Sequence, residues 1–315
     1  MSDLTILFII DPPEHLDPPT DTSLVLMQEA QSRGHRVVFG SLDGLHVDRG
    51  RPLARGWIAS FAGGRDNLSA GPSMLLHLDE IDAVFMRQDP PVDLSYLHAT
   101  EILDLLPPGI LQVNNPGALR RHGEKIIPLH FPDLMAETLV TACPDLLAVL
   151  FERHDRIVLK ILEDCSGRGV QVIDRDDPEK EEKLRRATAD GGRFVQGQEF
   201  LPQIEQGDIR VLMLDGELLG RVRRVPAEGS FLSNVNAGGR CEPCELGERE
   251  RAICKRLGPW LREEGIYLAG VDIVGGKVLE VNITSPSCLR EINDIYGERL
   301  EKEVIDFVER KTSRM

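Results

Sequence analysis

No apolar run in the 315-residue chain is long enough to span a bilayer, and the start offers no signal-peptide core: Met1 is followed by a polar Ser-Asp and then six apolar residues broken by Thr5. A cytosolic protein is expected. A basic surplus is also lacking, since 37 Lys and Arg against 52 Asp and Glu leave a net charge of -15, which repels a phosphate backbone. Nucleic acid and membrane are therefore not expected partners. The six cysteines are too scattered over a chain this long to form a disulfide framework, and are read as thiols. The first strand, "LTILFII" (4 to 10), is not followed by the G-x-G-x-x-G of a dinucleotide site but by the acidic, proline-rich "DPPEHLDPP", which offers no backbone cradle for pyrophosphate.

What is present is organised as α/β. The strand at 4 to 10, a capped amphipathic helix at 20 to 34 and "HRVVFG" (35 to 40) spell a βαβ unit. Residues 41 to 80 are polar, glycine-rich and weakly periodic, and predict no element. "IDAVFM" (81 to 86) and "GILQVNNP" (109 to 116) supply further strands around the helix "SYLHATEILDLL", and the first domain is expected to end near residue 120. A small second unit follows, with strands "AETLVT", "RIVLKIL" and "VQVID" and helices "PDLLAVLFERHD" and "DPEKEEKLRRATAD". In the last third "DIRVLMLDGELLGRVRRV" reads as a hairpin turning at Asp215-Gly216. A helix at about 247 to 265, a second hairpin and a final helix, "YGERLEKEVIDFVERK", complete the chain.

The second hairpin, "VDIVGGKVLEVNITSP" (271 to 286), carries Asp272, Glu280 and Asn282 between apolar residues. Glu280 and Asn282 share a face. Asp272 joins them only if it pairs with Glu280, which an odd-numbered loop would achieve and a two-residue turn would not. Three converging oxygen donors suit Mg²⁺; a solvent-facing polar edge is the other reading. Lys160, ending an apolar strand, and Lys125 can meet phosphate oxygens or reach past the strand to water. "EDCSGRG" after Lys160 is a weak glycine cradle. "GRVRRVPAEGSFLSNVNAGGR" (220 to 240) has arginines at both ends and reads as a lid over an anionic substrate or as a plain surface loop. Strict alternation puts Arg221 and Arg223 on one face and Arg224 on the other. "CEPC" (241 to 244) is a pair of ordinary thiols, half a zinc site or a redox pair.

Taken in order, "FIIDPP", "DAVFMRQDPPVD", "VNNPGALRRHGEK", "IVLK", "DIRVLMLDGE", "AGGR" and above all "GVDIVGGKVLEVNITSPSCLREI" resemble the bacterial glutathione synthetase family of the ATP-grasp superfamily over nearly the whole chain. The resemblance implies an α/β protein with an ATP-grasp fold in three parts. These are a Rossmann-like N-terminal domain (1 to 121), a small lid-like central subdomain (122 to 200) and a C-terminal mixed-sheet subdomain (201 to 315). It assigns Lys125, Lys160, Gln198, Glu199, Phe200, Leu201 and Asp208 to ATP. Asp272, Glu280 and Asn282 go to Mg²⁺ (or Mn²⁺), Arg210 and Arg224 to the reacting groups, and Arg87, Asp89, Gly239, Ser285 and Arg290 to the peptide substrate. The activity implied is ATP-dependent ligation of γ-glutamylcysteine and glycine by a cytoplasmic homo-oligomer, a tetramer in the family. Two stretches depart from the family pattern: Ile161, Asp164 and Ser166 replace a proline and glycines, and Leu232, Ser233 and Asn234 stand where the family has Arg-Gly-Asn. Those departures would suit a paralogue with another carboxylate and amine, or a non-catalytic Mg-ATP binder.

Overall fold

The computed structural model describes residues 3–61, 67–162, 169–229, 233–235 and 238–313, so Asp164, Ser166 and Gly167 of the post-lysine loop, and Leu232, lie outside the described residues. β1 (Thr5–Ile9), α1 (Thr22–Ser32) and β2 (Arg36–Gly40) form the expected βαβ unit with parallel strands. The Asp21 carboxylate caps α1 by accepting from the Leu24 amide at 2.8 Å. Ile6 to Ile9 are buried on both faces of β1, as a central parallel strand requires.

The segment 41 to 80 differs from expectation. It contains β3 (Leu45–Asp48), β4 (Arg51–Ser60) and β5 (Ser69–His77), all antiparallel. β5 is an edge strand whose residues are mostly exposed, so no burial imposes an apolar alternation on its sequence. β6 (Ala83–Met86), α2 (Leu94–Leu103), β7 (Leu111–Val113) and α3 (Pro116–Arg121) complete the unit. The sheet runs β3-β4-β2-β1-β6-β7 with β5 on β4, and β2-β1-β6-β7 is parallel.

A second, four-stranded antiparallel sheet follows. It is built from β8 (Thr138–Thr141), β9 (Arg156–Ile161), β10 (Gln171–Asp174) and β11 (Val195–Glu199) in the order β10-β9-β11-β8. Helices α4 (Pro144–Ala148) and α5 (Lys180–Ala187) cover one face around Leu147, Leu150, Ile157, Leu159 and Leu184. The third sheet has five antiparallel strands: β12 (Asp208–Leu214), β13 (Glu217–Val225), β14 (Arg240–Glu242), β15 (Leu268–Val274) and β16 (Lys277–Asn282). Their order is β14-β13-β12-β15-β16, and α6 (Glu248–Glu263) packs against it.

The final helix also differs: two helices close the chain, α7 (Leu289–Tyr296) and α8 (Leu300–Thr312), broken at Gly297, whose φ is +68°. α8 returns to the first domain, where Val304, Phe307 and Val308 share a core with Leu24 and Met27 of α1 and Arg33 pairs with Asp306 and Glu309. The first and third sheets are clamped as well. Asn114 Nδ2 donates to the carbonyls of Leu268 and Ile283, both at 2.7 Å, and its Oδ1 accepts from the Leu268 amide.

Candidate active site

The turn between β15 and β16 has two residues, Gly275 and Gly276, with φ of 57° and 73°, which overturns the expectation of an odd-numbered loop. Two left-handed residues form the tight turn that matches strand twist, and glycine adopts it without steric cost. Val274 pairs with Lys277 and Ile273 with Val278, yet Asp272 pairs with Glu280, because the ladder shifts by one residue at Leu279. This bulge returns Asp272 to the face of Glu280 and Asn282. Leu279 packs on a small apolar cluster of Ala136, Leu201 and Val274, which gives the extra residue a place to go.

The β12–β13 hairpin is built the same way. Asp215 and Gly216, at φ of 50° and 79°, make the turn, and the register shifts at Leu219. Leu219 is buried in the core of the third sheet. The consequence is a choice between arginines: without the bulge Arg223 would lie opposite Asp208, and with it Arg224 does. Arg221 and Arg223 stay on the other face, the former bonded to Glu245 and stacked over Tyr296, the latter donating to the Gln206 carbonyl.

Two bulges thus bring Arg224, Asp208, Arg210, Asp272, Glu280 and Asn282 to one face of the third sheet. Arg210 grips Asp272 with two bonds, Nε to Oδ1 at 2.5 Å and Nη2 to Oδ2 at 3.0 Å. Arg224 grips Asp208 in the same way, at 2.8 and 2.5 Å, and also reaches Asp272 Oδ2 at 2.9 Å. Arg224 is only 2% exposed. Burial alone would raise the Asp272 pKa, but the two guanidiniums outweigh it and hold the carboxyl well below the usual carboxylate range. For Glu280 burial prevails and its pKa is raised.

The second sheet supplies the lysines. Lys160 Nζ donates to Gln198 Oε1 at 2.9 Å, and burial lowers its pKa against the pull of Glu280 and Asp272. Lys125 is buried beside Glu280, its Nζ 3.4 Å from the Leu162 carbonyl, while Gln196 Nε2 donates to the Lys125 carbonyl. Further along the same segment, Glu199 pairs with Lys277 at 3.1 Å, Phe200 lies under the Arg156 guanidinium, and Leu201 packs against Val274. The resemblance gives Asp208 to the nucleotide, but both its oxygens are on Arg224.

A cleft of about 490 Å³ opens between this face and the first domain; Arg87, Asp89, Arg210, Arg224, Asn282 and Ser285 are among its lining residues. Arg87 is buried and anchored to Ser23 Oγ and the Pro286 carbonyl, each at 3.1 Å. Asp89 shares this wall with Ser285, and burial raises its pKa. Two expected substrate residues stand elsewhere. Arg290 lines a separate cavity with Gln28 of α1 and Asn293, because it projects from the opposite side of α7. Gly239 lies outside the residues lining the cleft, close against the Ser233 and Asn234 backbone.

Residues that the sequence reading missed include Glu124 and Asp11. Glu124 Oε1 accepts from the amides of Ile283 and Thr284 and from the Thr284 hydroxyl, holding the turn that follows the hairpin. Asp11 accepts from the Asp89 amide at 2.9 Å. Neither lies in a local pattern, since each partner is far away in the chain.

The donor set fits a hard divalent cation. Asp272 and Glu280 face each other across the ladder, one pKa depressed by the two arginines and the other raised by burial. Asn282 adds an amide beside them, its Nδ2 donating to Asp272 Oδ2 at 3.2 Å and to the Gly270 carbonyl. Oxygen ligands of this kind suit magnesium-like ions.

Comparison with known proteins agrees with this geometry. The family profile for the prokaryotic glutathione synthetase N-terminal domain matches residues 4–120, and that for the prokaryotic glutathione synthetase ATP-grasp domain matches 124–297. Glutathione synthetase of Gloeobacter violaceus is 38% identical over 312 residues (97% of this chain, 96% of the relative), and that of Vibrio cholerae 33% over 313 (96% of each). Among solved structures, D-cycloserine synthetase DcsG aligns with a TM-score of 0.68 at 15% identity, covering 96% of this chain and 99% of that one. D-alanyl-alanine synthetase A of Vibrio cholerae aligns with a TM-score of 0.61 at 15% identity, over 99% of both chains. Fold and site together define an ATP-grasp enzyme, an ATP-dependent ligase that joins a carboxylate to an amine and uses a divalent metal. Within that class, the chain belongs to the prokaryotic glutathione synthetase family. Among the described residues no helix is long and apolar enough to cross a membrane.

Proposed function

We propose that this ligase joins γ-glutamylcysteine to glycine with Mg²⁺-ATP, through an acyl phosphate, and that the cations on one sheet face organise the chemistry. The observation that carries the reading is the array of Arg210 and Arg224, pinned by Asp272 and Asp208 and lining a cleft, with Lys125 and Lys160 near Glu280. A carboxylate and a triphosphate repel each other, so their approach needs preplaced positive charge at low dielectric. Asp272, Glu280 and Asn282 would hold the ion, Mg²⁺ or in its place Mn²⁺. When bound, such an ion would supply positive charge against the phosphates.

Lys125 and Lys160 bind the phosphates, and the segment Gln198, Glu199, Phe200 and Leu201 faces the adenine. Asp208 acts as a positioning residue, keeping the Arg224 fork aimed rather than contacting ribose. The cysteinyl carboxylate oxygen attacks the γ-phosphorus, the bond to ADP breaks, and Arg210 and Arg224 hold the transferring oxygens. The glycine amine, having lost a proton, then attacks the acyl carbon, and phosphate leaves with the bonding electrons. Arg87, Asp89 and Ser285 orient the peptide at the far wall of the cleft. Arg290, in its separate cavity, and Gly239, against Ser233 and Asn234, do not touch substrate.

A division into parts 1–121, 122–200 and 201–315, a cytoplasmic location and a homotetramer complete the reading. Phosphate release with ATP, γ-glutamylcysteine and glycine tests it: release is expected only with all three present and a divalent ion. Release with a different acid and amine, and none with this pair, refutes the substrate assignment.

A further inference from the structure

The cysteines of "CEPC" do not face each other. Cys241 lies on β14 opposite Arg224, so its side chain shares the face of the arginine array. Cys244 packs into the core on the other side, its backbone clamped by the Tyr296 hydroxyl, which accepts from its amide at 2.7 Å and donates to its carbonyl at 2.9 Å. The neighbour of Cys241 is a residue 47 positions along the chain (288 − 241), Cys288. Both side chains pack in one core cluster, and the two thiols lie close enough to perturb each other's titration.

Cys288 is set at the N-terminal cap of α7 with a left-handed φ of 81°, rare for a side-chain-bearing residue. It lines the substrate cleft beside Arg210 and Arg224. The neighbouring Cys241 thiol and the two guanidiniums bring its pKa down to about 6, although burial opposes this. The Cys241 thiol is correspondingly pushed up. A thiolate with a thiol beside it is what disulfide formation requires. Among the described residues neither belongs to a three-ligand metal cluster.

We propose that Cys241 and Cys288 are a peroxide-responsive thiol pair whose disulfide switches the active site off. Hydrogen peroxide is small enough for a buried thiol. The Cys288 thiolate takes one peroxide oxygen, the O–O bond breaks, and the hydroxide released is protonated to water, leaving a sulfenic acid. The Cys241 thiol attacks that sulfur and expels a second water. Two thiols and one peroxide become one disulfide and two waters. The bond ties edge strand β14 to the start of α7 beside both catalytic arginines, and turnover is lost.

The test uses the full reduced chain, treated with hydrogen peroxide, alkylated, digested without reductant and mapped by mass spectrometry. A Cys241–Cys288 cross-link is expected, with loss of ATP-dependent turnover that dithiothreitol restores. Cys241→Ser should keep basal turnover, form no cross-link and leave Cys288 trappable by dimedone as a sulfenic acid. A Cys241–Cys244 link, or an unmodified Cys288 in peroxide-treated protein with native circular dichroism, overturns the pairing. Full turnover by the cross-linked protein overturns the switch. The cross-link map does not depend on which substrates the ligase uses, so it fails separately from that reading.

Discussion

Replacing Asp208 with asparagine removes one of two carboxylates that hold two buried arginines. In the intact protein Arg224 bonds Asp208 at 2.8 and 2.5 Å and Asp272 at 2.9 Å, while Asp272 is also gripped twice by Arg210. After Asp208→Asn one carboxylate serves two guanidiniums in a setting almost closed to water. Stripping one partner from a buried pair costs roughly 3–5 kcal/mol. The asparagine oxygen still accepts one bond and Asp272 shares its charge, which reduces the expected loss to about 2–3 kcal/mol. Urea unfolding should show this as a lower midpoint with an unchanged slope. Metal-ATP should recover part of the loss, because phosphate oxygens supply the missing negative charge. Turnover should fall about 100-fold at saturating substrate, since Arg224 loses the partner that aims it. A stability loss under about 1 kcal/mol together with an unchanged kcat would refute the reasoning.

Two further outcomes follow from the same electrostatics. Glu280→Ala should abolish turnover while leaving circular dichroism native, and chelation with EDTA should have the same effect on the parent protein; normal activity in the variant would sink the metal assignment. Glu291, whose pKa burial and the Cys288 charge raise to about 7, contributes stability that is complete below its unfolded value near 4.5 and lost as pH rises through 7. Glu291→Gln should therefore flatten the pH dependence of Tm between those limits and raise stability above pH 7 by about 1–3 kcal/mol. An unchanged pH profile would refute this.

The residue pattern exposed much of the architecture and misled where burial did not write itself into the sequence. β1, α1 and β2 were legible because fully buried parallel strands leave an unbroken apolar run and the helix carries an Asp cap. β4 and β5 were not, because β5 lies on an exposed edge that imposes no alternation. The final helix was read over 296 to 311, close to α8, while the short α7 (Leu289–Tyr296) before it was not predicted. Asp272, Glu280 and Asn282 were recognisable as oxygen donors, and Lys160 as a charge in an apolar strand. The role of Glu124, which braces Ile283 and Thr284, left no local trace.

Sequence alone determined the element types and the chemistry available: which strands are apolar, where the glycine turns fall, and which side chains carry charge. These are short-range properties of the chain. Only the tertiary structure decided which of those charges meet. The bulges at Leu219 and Leu279 each shift a ladder by one residue, and a one-residue shift moves a side chain to the opposite face. They select Arg224 over Arg223, with Cys241 opposite it on β14, and return Asp272 to Glu280 across a two-residue turn. Whether a strand bulges depends on where its extra residue can be buried, and for Leu279 that place is made by Ala136 and Leu201, residues distant along the chain.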